Sequence, residues 1–101
     1  MAQRSDLQTI FEQILGKKNV YFQPPPGLLM SYPAIVYELS DIDTKHADDS
    51  VYMLDKAYQV TVMDKDPDST IPDEIIRLPK CAFERAFQSD NLNHWVFKLY
   101  Y

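Results

Sequence analysis

"KAYQVTVMDKDPDST", residues 56–70, decides the fold. In its first half Tyr58, Val60 and Val62 alternate with Gln59, Thr61 and Met63, the period of a β-strand. The second half sets Asp64, Asp66 and Asp68 at alternate positions, as calcium loops between two helices begin. Counting Asp64 as position one, such a loop needs glycine at position six and a bidentate glutamate at position twelve. Ser69 and Ile75 occupy those places, Pro67 stiffens position four, and no helix leads in. The stretch therefore reads as a strand leaving through a turn into a short helix. Asp-Pro starts turns. Thr70 is placed to cap the helix, Pro72 fits its first turn, and Pro79 ends it. Ile71, Ile75 and Leu78 fall on one side. The aspartates then accept backbone N–H bonds and place negative charge at a helix start.

Upstream, Leu7, Ile10, Phe11, Ile14 and Leu15 form one apolar stripe at helical spacing. Ser5 and Gln8 are spaced as a capping box, and Gly16 followed by Lys17 and Lys18 marks the helix end. Val20–Phe22 is either a short strand or part of the connector. Pro24, Pro25 and Pro26 predict a stiff polyproline spacer running to Pro33. Ala34–Ser40 (AIVYELS) reads as a strand apolar on both faces, hence central in its sheet. Between it and the 56–64 strand, residues 41–55 hold Asp41, Asp43, Asp48, Asp49 and Asp55. That length exceeds a hairpin turn of about two to five residues, which predicts a long protruding hairpin or a mobile loop.

Downstream, CAFERAFQ (81–88) is compatible with strand or helix, and the alternation of Cys81, Phe83 and Arg85 favours strand. SDNLN is a turn and HWVFKLYY (94–101) a strand. Its Trp95, Phe97, Leu99 and Tyr101 are set to pack on Leu7, Phe11 and Ile14. The order predicts a single α+β domain over 1–101. It has a largely antiparallel sheet, an N-terminal helix and a second short helix between strands.

The 101 residues carry a net charge of −5, from 15 acidic and 10 basic side chains. Scattered Lys and Arg argue against gripping a nucleic-acid backbone. No run is long and apolar enough to span a membrane. MAQRSDLQ carries no signal segment and Cys81 is alone, which predicts a reducing, cytoplasmic setting.

Catalytic chemistry finds little footing. His46 has Asp43, Asp48 and Asp49 nearby in sequence, but without metal-ligand spacing, and His94 opens a strand. Cys81 lacks an elbow and an oxyanion hole, and two glycines cannot build a phosphate cradle. The expectation is no catalytic residue, no metal and no cofactor. A hydrolase using Asp64, Asp66, Asp68 and His46, or an adaptor that binds a host protein through tyrosine-rich strands, stands as the rival.

VTVMDKDPDSTIPDEIIRLP and DNLNHWVFKLYY, with ILGKKNVYFQPPPGLLMSYPAIVYE near the start, resemble small proteins of tailed bacteriophages infecting Gram-positive bacteria. They are similar to the tail terminator (tail completion) class of the head–tail joining region. The resemblance implies an α+β domain in a hexameric ring, within the virion neck and assembled in the host cytoplasm. That ring stops the tail tube and meets the head connector, another neck component being the alternative. The partners implied are further copies of itself, the tail tube protein and the head-completion protein. DNA would pass the lumen without specific binding, and carboxylates lining it would prevent sticking. Charge and loop length, rather than the resemblance, single out the two contact surfaces. One is the 41–55 loop, facing the lumen or an adjoining ring; the other is the turn of Asp64, Asp66 and Asp68.

Overall fold

A computed structural model describes residues 4–47 and 50–101, with the side chains of all but 43–55. Helix α1 (Arg4–Leu15) is followed by β1 (Val20–Phe22), β2 (Ala34–Ala47) and β3 (Ser50–Asp64). Helix α2 (Ile71–Ile76), β4 (Cys81–Ser89) and β5 (Leu92–Tyr100) complete the fold. The five strands form one sheet in the order β1-β2-β3-β5-β4, antiparallel except for β1 beside β2. This is an α+β fold.

Both helices lie on one face of the sheet. α1 buries Leu7, Phe11 and Leu15, as its stripe predicts, and α2 adds Ile75. They meet Ile35, Tyr37, Tyr58, Val60, Phe97 and Leu99 in one continuous core. Burying side chains of this kind is worth about 1.5–3 kcal/mol each, so this layer carries most of the stability. Gly16, at φ +72, closes α1 in the left-handed conformation that glycine adopts without strain, and its N–H donates to the Glu12 carbonyl at 2.9 Å. The hairpin between β4 and β5 turns through Asp90 and Asn91, both at positive φ as a two-residue hairpin turn requires.

Four expectations are corrected. Ser5 lies inside α1, and its carbonyl accepts from Thr9 Oγ1 at 3.1 Å; Gln8 faces the sheet instead of closing a capping box. β2 is the second strand, and β3 is central. Only one face of β2 is covered, because Ile35 and Tyr37 point to the helices while Glu38 is exposed opposite them. The prolines do not run on as an extended spacer: Leu28 N–H donates to the Pro25 carbonyl at 3.3 Å, closing a turn with Gly27 at φ +81. Thr70 precedes α2 without a side-chain cap.

Of the two alternatives for the acidic stretch, the protruding hairpin is the one found: its described residues are strand. β1 pairs with β2 only as far as Tyr37, and β5 pairs with β3 only from Ala57 onward. Beyond those points β2 and β3 continue as a two-stranded arm, through Asp41↔Ala57 and Asp43↔Asp55 to Ala47↔Ser50. At about 3.3 Å per residue, residues 41–47 carry it roughly 20 Å past the body. The longest dimension of the molecule, 51 Å against 25 and 24 Å, reflects this projection.

Candidate functional site

The DKDPDST segment is built by its own side chains. Asp66 N–H donates to Asp64 Oδ1 at 3.1 Å, and Asp68 N–H to Asp66 Oδ1 at 2.9 Å. Ser69 N–H donates to the Asp66 carbonyl at 3.3 Å, closing a turn with Pro67 at its second position. Asn93 Nδ2 donates to the carbonyls of Asp64 and Lys65 at 3.3 and 3.4 Å, tying the turn to β5. Two of the three aspartates thus spend an oxygen on local amides. Among the described residues no group of three His, Cys, Asp or Glu side chains is placed to hold a metal ion.

The rival catalytic sets are not brought together. His46 pairs with Val51 near the arm tip, whereas Asp64 ends β3, thirteen residues further along the same strand. At about 3.3 Å per residue they stand roughly 40 Å apart. Cys81 pairs with Leu99 and Phe87 with His94, which sets Cys81 and His94 about 16 Å apart along β5. Burial raises the Cys81 thiol pKa, the opposite of what an activated nucleophile needs. His94 stacks on Phe87, ring centroids 4.6 Å apart, with Nδ1 3.2 Å from the Leu92 carbonyl.

A partly buried polar cluster links helix to sheet. Tyr37 is fully buried; its hydroxyl donates to Gln8 Oε1 and accepts from Arg4 Nη1 at 3.1 Å. Gln8 Nε2 donates onward to the Val20 carbonyl at 3.1 Å. Desolvation pushes the Tyr37 pKa up, and the Arg4 guanidinium opposes this in part. Packed by Phe11 and Phe22 rings at 5.1 and 5.0 Å, the hydroxyl has no path to a substrate and acts as a structural tie.

Two further surfaces stand out, one by its charge and one by its exposure. The 41–55 stretch sets five aspartates against Lys45 as its single basic side chain. Asp41 is exposed. Asp43 and Asp55 are opposed in register, their side chains lying outside those described, and Asp48 and Asp49 lie outside the described residues altogether. At the other edge, eight of the nine residues of β4 are exposed. A bulge between Phe83 and Arg85 puts Phe83 on the helix face and Phe87 on the opposite one, 51% and 43% exposed. No local sequence signal marks that bulge. Phe83, Ile76, Trp95 and Pro72 line a shallow hollow of about 330 Å³ between α2 and β4.

Compared with known proteins, the chain matches no family model and none of the curated proteins. Among the described residues no helix is long and apolar enough to cross a membrane.

Proposed function

We propose that the chain is a structural subunit of a bacteriophage tail, a ring-forming tail terminator that caps the tail tube and joins it to the head connector. The observation that carries this reading is the acidic two-stranded arm projecting from a compact body whose opposite edge strand is unpartnered. A body that projects one arm leaves its other surfaces free for contacts between copies, which close into a ring when they run head to tail. Carboxylates concentrated on the projection suit a surface past which DNA must slide without adhering. The resemblance of the 60–79 and 90–101 segments to head–tail joining proteins points the same way. The ring acts by shape, and its partners are the tail tube protein, the head-completion protein and its own copies.

Electron microscopy of the purified protein, alone and mixed with tail tubes, tests it. Rings with a central opening, seated on tube ends that no longer elongate, are expected. Tubes that keep growing at full length in its presence overturn the proposal. The triple variant Asp43→Asn, Asp48→Asn and Asp49→Asn should still cap tubes while slowing DNA passage, read as infectivity of complemented particles. Wild-type infectivity would remove the lumen role from the arm.

A further inference from the structure

The face of the sheet opposite the helices has a charge order that folding does not require. Pairing partners share a face, so the register lays the residues out in rows. One row crosses Glu38, Gln59, Lys98 and Ala82; the next crosses Val36, Thr61, Val96 and Arg85. Asp41 and Tyr100 flank Ala57 towards the arm. The β2 side is therefore acidic, with Glu38 and Asp41 both exposed, and the β4–β5 side carries Arg85 and Lys98, with Glu84 exposed at the bulge beside Arg85. Between them lie the half-buried Val36 and Thr61 and the buried Val96.

The two sides differ in their neighbouring residues as well as in charge. Glu38 lines a shallow concavity of about 400 Å³ with Gln23, Pro24 and Gln59, and Gln59 Nε2 donates to Glu38 Oε1 at 3.4 Å. The other side is aromatic: Arg85 lies 5.7 Å from the Phe87 ring centroid and Lys98 Nζ 5.4 Å from that of Tyr100. Phe87 and Tyr100 are 43% and 38% exposed. Glu38 and Lys98 sit two strands apart, about 10 Å, too far for a direct ion pair between strand positions.

We propose that this face binds a second copy of the same chain, the Arg85/Lys98 side of one subunit seating on the Glu38/Asp41 side of the next. Charge complementarity chooses the occupant. Each copy carries both halves of the contact, on opposite sides of one open face. The four strands present roughly 20 by 17 Å in projection, well under the ~800 Å² per partner of a standard stable interface. A single contact is therefore weak and salt-sensitive, and strengthens when each subunit makes two. The proposal deepens the ring reading by naming the contact between neighbours, and rests on that reading only for the closed ring.

Two charge-reversed variants test it: Glu38→Lys with Asp41→Lys, and Arg85→Glu with Lys98→Glu. Sedimentation velocity at low salt is run on the wild type, on each variant, and on their equimolar mixture. The wild type should associate reversibly and dissociate as salt rises. Each variant alone should stay monomeric with wild-type circular dichroism, its association weakened more than about tenfold. The mixture should recover association, because one variant then offers two basic sides and the other two acidic ones. Variants that keep the wild-type mass, a mixture that stays monomeric, or a wild type monomeric at high concentration each overturn the contact. A wild-type ring insensitive to both variants sinks this contact and leaves the ring. A two-subunit species broken by the variants and restored by mixing upholds the contact and sinks the ring.

Discussion

Replacing Tyr37 by phenylalanine isolates a polar tie at the edge of the core. The change keeps the ring contacts to Phe11, Phe22 and Tyr58 and removes only the hydroxyl between Gln8 and Arg4. Gln8 Oε1 and one Arg4 N–H then lose their partner at the α1–β2 junction. Removing one side of a buried hydrogen bond costs about 1–3 kcal/mol, and partial access of water to Arg4 favours the lower half of that range. For a domain of this size a loss of about 1–2 kcal/mol lowers the melting temperature by roughly 5–15 °C.

The same substitution has a pH signature. The folded Tyr37 pKa is raised, chiefly by desolvation, above the value of about 10 of the unfolded chain. The native state thus holds its proton over a range where the unfolded state has lost it. Stability from this group is fully present below pH ~10 and is lost as pH climbs toward the folded pKa, by at most about 1.4 kcal/mol per pH unit. The Tyr37→Phe variant has no phenol at this position to titrate. Urea unfolding of both proteins between neutral pH and pH ~11 should show their stability difference narrowing only above pH ~10. Cys81, also raised by burial, loses stability in the same direction in both proteins and cancels in the comparison. A difference that stays constant across that range, or a variant as stable as wild type at neutral pH, would refute the argument.

Other changes probe the core, the helix end and the turn. Phe97→Ala should cost about 3–5 kcal/mol, since Phe97 is 1% exposed; Trp95→Ala, half-buried beside α2, should cost clearly less, both read by urea denaturation. Gly16→Ala should cost about 1 kcal/mol through backbone strain alone, because a Cβ there meets no atom within 4 Å. Asp66→Ala removes the acceptor for Asp68 N–H and should lower stability by about 0.5–1.5 kcal/mol. Unchanged melting would show that Pro67 alone sets the turn.

The parts of the fold written in local spacing were legible. The α1 stripe, the alternation of β3 and the DKDPDST turn depend on neighbours within a few residues, and the structure reproduces them. What depends on distant partners was not. Gln8 sits where a capping box would place it, yet Tyr37, twenty-nine positions away, captures it. Ala34–Tyr37 is apolar throughout and so mimics a strand covered twice, although the face with Val36 belongs to the open side. The acidic run left hairpin and loop both open because aspartate is a poor strand former, and cross-strand pairing decides for the hairpin. Of the candidate surfaces, the arm's charge was readable from sequence. The basic patch was not, since Arg85 and Lys98 become neighbours only through the β4–β5 pairing and its bulge.

The arm itself bears on function through its stability. An isolated two-stranded ribbon is marginal in water. Here no third strand flanks it beyond Tyr37 and Ala57, and Asp43 stands opposite Asp55, a like-charge pairing that disfavours the ribbon. The outer arm therefore adds little to folding, which leaves it available for the partner contacts proposed above. Excising residues 43–55 and joining Ile42 to Lys56 through Asn-Gly keeps that pair in register and supplies a turn of the right twist. The shortened chain should melt within a few degrees of wild type, since the core cluster of Tyr37, Phe97 and Ile75 is built elsewhere. Glu38, Asp41, Arg85 and Lys98 also remain, so subunit association should persist. Tail joining and infectivity should fail. If the shortened protein unfolds, the arm is part of the folding unit; if it supports normal infection, the acidic projection is not the surface on which tail assembly depends.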